Sequence, residues 1–169
     1  MIKIIITGPE CSGKTSLTKS LATFFKASMV EEYAREYISK LDRKYIKKDL
    51  LEIAKIQLKS EKKLKNKKII FCDTDLLTIK IWSKLKFGEC HQEILQNIES
   101  RKSENHLYIL CKPDIDWVFD PQRENQFDRD NLFVIYKKQL EEYGFNYFVI
   151  EKNDRLNKSI KKINNILKI

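Results

Sequence analysis

Residues Gly8-Pro9-Glu10-Cys11-Ser12-Gly13-Lys14-Thr15 decide how this chain is read. An apolar run, Ile2 to Ile6, precedes them, and Leu17, Leu21, Phe24 and Phe25 follow at helical spacing. A buried strand, a glycine-bounded loop and a helix starting at Gly13 to Lys14 are therefore predicted in that order. The loop fits G-x-x-x-x-G-K-S/T in the strand-to-helix context that gives the pattern meaning. Glycine permits backbone angles that turn successive N–H groups toward one anion, and the helix N-terminus adds unpaired N–H groups and a favourable dipole. Lys14 is expected to reach the β- and γ-phosphates of ATP, and the Thr15 hydroxyl to ligate Mg²⁺. The nucleotide-binding set is Gly8, Pro9, Glu10, Cys11, Ser12, Gly13, Lys14, Thr15 and Ser16.

Outward from this loop, apolar runs alternate with helical patterns. Strands are predicted at 2–6, 28–31, 68–73, 107–111 and 147–150. Helices are predicted from near Tyr33, through 50–64, over 75–86 and 89–103, from Leu132 up to Gly144, and over 156–167. The alternation implies an α/β domain, residues 1–169, with a mostly parallel five-stranded sheet and helices on both faces. The general plan of P-loop kinases puts the loop-bearing strand in the middle, beside the strand that ends at Asp73.

Ligands of open parallel sheets bind beyond the carboxyl ends of the strands, so acids there are candidates. Asp73 ends the Ile69-Ile70-Phe71-Cys72 run and is placed to serve Mg²⁺. Asp75 serves either the substrate or the cap of the next helix. Glu31 and Glu32 follow the second strand. A carboxylate there either orients an acceptor hydroxyl and takes its proton or is an exposed acid at a helix start. The polar segment 112–130 joins a strand to a helix and suits a lid over the phosphates, with Arg123 or Arg129 neutralising the transferred group. Trp117 stacks on a base or ring, or anchors the loop.

Composition bounds the alternatives. The 169-residue chain carries a net charge of +9, mostly lysine, with its densest cluster at Lys59, Lys62, Lys63, Lys65, Lys67 and Lys68. At a helix end this reads as a solvated face rather than a nucleic-acid site. Cys11, Cys72, Cys90 and Cys111 show no C-x-x-C spacing, and His91 and His106 are the only histidines, so a zinc or redox centre has little support. No apolar run approaches the roughly 20 residues of a membrane helix, and a cytoplasmic location is expected.

Several segments together resemble the nicotinamide-riboside (ribosylnicotinamide) kinase domain of the bifunctional bacterial NAD-salvage proteins. They are the Gly-Pro-Glu-x-Ser-Gly-Lys-Thr loop, Glu32-Tyr-Ala-Arg-Glu-Tyr37, Asp73-Thr-Asp-Leu-Leu-Thr-Ile-Lys-Ile-Trp82 and Pro113-Asp-Ile-Asp-Trp117. The resemblance implies transfer of the γ-phosphate of ATP to the 5′-hydroxyl of nicotinamide riboside. It implies that Lys14 and Thr15 serve ATP and Mg²⁺, and that Asp73 and Glu32 serve metal and acceptor. Arg35, Tyr33 and Tyr37 would line or brace the acceptor site, and Arg123 would be the lid arginine. The lid departs from the family pattern: Asp116 replaces a proline, Asp120-Pro121-Gln122 replaces a glycine turn, and Arg123-Glu124 is retained. The H-x-G-H signature of the family's adenylyltransferase domain is missing. Two other readings compete. One is a kinase for another nucleoside or small metabolite, and the other is a nucleotide-dependent regulator or nucleic-acid-binding ATPase.

Overall fold

The apolar run at the start of the chain is strand β1 (Ile2–Thr7), buried because it lies at the centre of the sheet. The computed structural model describes residues 1–64, 67–123 and 126–168. Lys65 of the lysine cluster and Glu124 of the arginine–acid pair lie outside the described residues. The other strands are β2 (Ser28–Val30), β3 (Ile69–Asp73), β4 (His106–Cys111) and β5 (Tyr147–Ile150). Their order is β2-β3-β1-β4-β5, and every neighbouring pair is parallel. The central position of β1, with β3 beside it, is the arrangement expected from the sequence.

The helices are α1 (Lys14–Phe24), α2 (Tyr33–Ser39), α3 (Lys47–Lys63), α4 (Leu76–Phe87), α5 (Gln92–Ser100), α6 (Arg129–Tyr143) and α7 (Arg155–Leu167). Alternating strand side chains separate two cores. Ile4 and Ile6 of β1 pack with Leu17 and Leu21 of α1 and Ile163 of α7. Ile5 belongs to the opposite core, with Leu50 and Ile53 of α3, Leu77 of α4, Ile98 of α5 and Leu140 of α6. Period-2 alternation thus places helices on both faces, and every side chain of β4 is buried.

The differences from the predicted elements are local and have identifiable causes. Helix α3 starts at Lys47 because Asp49 reaches back to accept the Ile46 N–H at 2.7 Å. Helix α5 starts at Gln92, not Glu89, because Gly88 closes α4 with φ 76° and the His91 imidazole then accepts the Glu93 N–H. It ends in a 3-10 turn, Arg101–Ser103.

Asp49 ties the start of α3 to its surroundings. Its buried carboxylate also takes a two-pronged ion pair from Arg43, at 2.7 and 2.9 Å, and the Tyr37 hydroxyl at 3.0 Å. The Arg43 guanidinium, followed by the Ile46 amide and the Tyr37 hydroxyl, holds the Asp49 carboxyl well below the usual range, against the opposing pull of burial. A depressed folded pKa stabilises the fold above the unfolded value, and that stabilisation is lost as pH falls through the folded value. Asp49→Ala should therefore lower stability at neutral pH by about 2–4 kcal/mol. Urea unfolding at pH 7 and at low pH checks this, and the gap between variant and wild type should shrink in acid.

Candidate active site

The phosphate loop leaves β1 at Gly8, whose φ of 136° and tight position both exclude a side chain. A Cβ there would lie 2.5 Å from the Cys111 carbonyl oxygen of β4. Cys11 (φ 50°) and Gly13 (φ 78°) complete the turn. The Ser12 hydroxyl and the Lys14 ammonium both donate to the Pro9 carbonyl at 2.7 Å, which curls the loop around its own centre. The first turn of α1 carries no side-chain cap and no acid of its own, so its N–H groups are not spent on a side chain of the helix. All nine residues 8–16 line one cleft of about 490 Å³.

Two arginines that motif reading did not place in the loop hold its outer rim. Arg155 donates to the Ser12 carbonyl at 2.6 Å and to the Lys112 carbonyl at 2.9 Å, and pairs with Asp114. Arg129 donates to the carbonyls of Cys11 (3.2 Å) and Ile115 (3.0 Å). The Cys11 thiol donates to the Asp116 carbonyl and accepts the Val118 N–H, both at 3.3 Å. Segment 112–118 is thus stitched to the loop from residues far apart in sequence, and no spacing signal announces such contacts.

Asp73 ends β3 almost fully buried, and its Oδ1 has no hydrogen-bond partner among the described residues. Burial raises its pKa, while the Thr15 hydroxyl beside it and the Lys14 ammonium oppose the rise. A partnerless buried carboxylate oxygen next to a first-turn hydroxyl is a hard-oxygen donor pair that fits Mg²⁺. Half-buried Glu32, the N-cap of α2, lines the cleft facing the loop. Burial and then Asp73 raise its pKa, and Lys14 and Arg35 pull it down.

The same cleft includes a chamber walled by Ile38, Ile81, Trp82, Leu132 and Tyr136, with Arg35 and Arg123 also lining it. Trp82 and Tyr136 reach this wall on α4 and α6. The sequence gives their helical stripes but not which stripe faces a ligand. The Trp82 indole N–H donates to the Tyr45 hydroxyl at 2.8 Å, so the ring is held in place. Arg35 pairs with Asp120 of segment 112–130, and Gln122 leans on the Arg35 carbonyl, so the altered turn of that segment is fastened to α2.

Of the candidate substrate residues, Glu32 and Arg35 line the cleft, and Tyr33, Tyr37, Asp73, Asp75 and Trp117 are not among its lining residues. Tyr33 lines a second groove, formed with Met29, Glu36 and Leu64, and its ring is edge-on to Tyr37 at 6.0 Å. Tyr37 spends its hydroxyl on Asp49, so these two rings brace α2. Asp75 is buried at 1% exposure, caps α4 through the Leu77 N–H and pairs with Arg101, so the cap alternative is the one realised. Trp117 anchors its segment, with the guanidinium groups of Arg123 and Arg129 over its ring at 5.8 and 5.6 Å. Arg123 also donates to the Val118 carbonyl. Among the described residues, no group of three or more His, Cys, Asp or Glu side chains is placed to hold a metal, and no helix is long and apolar enough to cross a membrane.

Comparison with known proteins agrees with this geometry. The trifunctional NAD biosynthesis/regulator protein NadR of Escherichia coli (strain K12) is 26% identical over 159 residues, which is 89% of this chain but 38% of that protein. The chain therefore spans well under half of that relative. The crystal structure of NadR in complex with NR superposes with a TM-score of 0.75 at 22% identity, covering 99% of this chain and 52% of that one. Deoxyadenosine kinase from M. mycoides with bound dCTP shares the fold more loosely, with a TM-score of 0.57 at 18% identity over 96% of this chain and 99% of that one. The likeness to bacterial NAD-salvage proteins read from the sequence motifs is borne out by the similarity to NadR. The family model for the AAA domain (AAA_28) matches residues 3–158, from β1 through the phosphate loop and the Asp73 strand into α7, and the chain belongs to that family.

Proposed function

We propose that this chain is an ATP- and Mg²⁺-dependent kinase that phosphorylates the 5′-hydroxyl of nicotinamide riboside, giving nicotinamide mononucleotide, in the cytoplasm. One observation carries the reading. A single cleft is lined by the phosphate loop, by Glu32 and by the aromatic side chains of Trp82 and Tyr136, so that a phosphate donor, a proton-accepting carboxylate and an acceptor ring have one space to share. The similarity to NadR, and the NR bound in its crystal structure, support the riboside as the acceptor.

In this reading the backbone N–H groups of the 8–16 loop, which Pro9 lacks, and the Lys14 ammonium hold the triphosphate and offset the charge that builds on the transferred group. Thr15 and Asp73 would hold Mg²⁺, which would neutralise phosphate charge. Glu32 orients the acceptor hydroxyl and accepts its proton. Segment 112–130 forms the lid, and Arg123 reaches the phosphates from it. Arg35 borders the acceptor while anchored to Asp120.

Product formation measured by ADP release, with the riboside set against a panel of nucleosides, tests the substrate. Turnover well above the ATPase background with the riboside is expected, and turnover with other nucleosides alone would contradict it. Lys14→Ala should cut turnover about a hundredfold or more while leaving the thermal midpoint near that of wild type. Asp73→Asn should reduce Mg²⁺-dependent turnover far more than metal-free nucleotide binding. Near-normal rates in both variants would reject these assignments. Because the Glu32 pKa is raised and the base must be deprotonated, turnover should fall as pH drops through a value above the ordinary 4.5. Glu32→Gln should remove that acid limb from the kcat–pH profile.

A further inference from the structure

A buried ionic cluster stands directly behind the Asp73 turn and takes no part in the chemistry described so far. Between Asp73 and Asp75, Thr74 is held at φ 64°, in the left-handed region that a β-branched residue avoids, and its N–H donates to the Ile6 carbonyl at 3.0 Å. The turn persists because both ends are fixed. On the far end, Asp75 Oδ2 accepts the Tyr108 hydroxyl at 2.8 Å and Arg101 Nη1 at 3.2 Å, and Oδ1 accepts the Leu77 N–H at 3.1 Å. Arg101 grips both oxygens of Glu61 at 2.8 and 2.9 Å, and Lys3 reaches Glu61 at 3.1 Å. Asp75, Arg101, Glu61 and Tyr108 are each at most 2% exposed. Two buried carboxylates, Asp75 and Glu61, meet Arg101 and Lys3, and Lys3 also reaches the more exposed Glu104 at 2.9 Å. Its members come from α3, the N-cap of α4, the 3-10 turn after α5, β1 and β4.

We propose that Asp75, Arg101 and Tyr108 are positioning residues for divalent-cation use. They clamp the carboxyl side of the strained Thr74 turn and thereby fix the aim of Asp73 toward Thr15. The inference rests on the reading of Asp73 as the carboxylate that serves Mg²⁺. The two adjacent acids have divided roles. Asp73 leaves its buried Oδ1 without a hydrogen-bond partner among the described residues, and Asp75 spends both of its oxygens on Leu77, Arg101 and Tyr108.

Tyr108→Phe tests this with the least disturbance, because it removes one hydroxyl and keeps the ring stacked on Phe145 at 5.0 Å. Binding of a non-hydrolysable ATP analogue is measured by calorimetry across a Mg²⁺ titration, for wild type, Tyr108→Phe and Asp75→Asn, with thermal midpoints alongside. Metal-free affinity should be unchanged in Tyr108→Phe. The Mg²⁺ concentration giving half of the metal-dependent gain should rise about three- to tenfold, as when a partner behind a metal ligand is removed. A Tyr108→Phe protein that titrates Mg²⁺ like wild type, whether or not its thermal midpoint falls, overturns the proposal and leaves the cluster a packing element. A wild type whose analogue affinity ignores Mg²⁺ overturns it as well. If Asp75→Asn does not fold, Tyr108→Phe decides alone. Mg²⁺-dependent analogue binding that shifts as expected, without phosphate transfer to the riboside, would remove the substrate assignment and leave this inference standing.

Discussion

The backbone of Gly8 passes so close to the Cys111 carbonyl of β4 that no side chain fits between them. The architecture of the site follows from that contact. It lets the chain fold over the carboxyl end of the neighbouring strand instead of continuing along β1, and so brings the start of α1 above the middle of the sheet. There the uncapped N–H groups of the first turn, the Lys14 ammonium and the carboxyl end of β3 converge. A parallel sheet with its loop-bearing strand in the centre has the ends of β2 and β3 on one side of that point and the end of β4 on the other, from which the chain crosses to Arg35 of α2 through Asp120 and Gln122. The cleft is the space these elements leave between them.

Charge is sorted around the cleft by burial. Asp73 and Asp75, two residues apart, have opposite surroundings. One faces a hydroxyl and an ammonium at the phosphate loop, and the other is enclosed by Arg101, Tyr108 and a helix N-terminus. The left-handed Thr74 between them makes the divergence possible, because an extended chain would have sent both side chains to the same face. The +9 net charge takes little part in this, since the cations that shape the site are a few arginines and Lys14 rather than the Lys59–Lys68 run.

Much of this was legible in the residues. The α/β class, the five strands, the central position of β1 and the loop follow from apolar runs of strand length alternating with helical stripes. Ile4, Ile5 and Ile6 fill two cores, as a strand covered on both faces requires. Element ends were less legible where a side chain several residues away sets them, as Asp49 does for α3. Within the site, local motifs give where the loop, Asp73 and Glu32 fall at strand ends, because that depends on neighbours in sequence. Arg155, 143 residues from the Ser12 carbonyl it holds, and the chamber walls Trp82 and Tyr136 depend on how distant elements pack. Tyr33, Tyr37, Asp75 and Trp117 carry groups suited to ligands, but packing commits them elsewhere. A single sequence does not show where a hydroxyl or ring is already spent.

The account centres on one shared cleft in which a triphosphate and a riboside meet at Glu32. A crystal structure with Mg²⁺, a non-hydrolysable ATP analogue and nicotinamide riboside tests this most directly. The account predicts the terminal phosphate inside the 8–16 loop, the 5′-hydroxyl within hydrogen-bonding distance of Glu32 and in line with that phosphate, and the pyridine ring between Trp82 and Tyr136. A riboside bound outside this chamber, or with its 5′-hydroxyl turned away from Glu32, would contradict it.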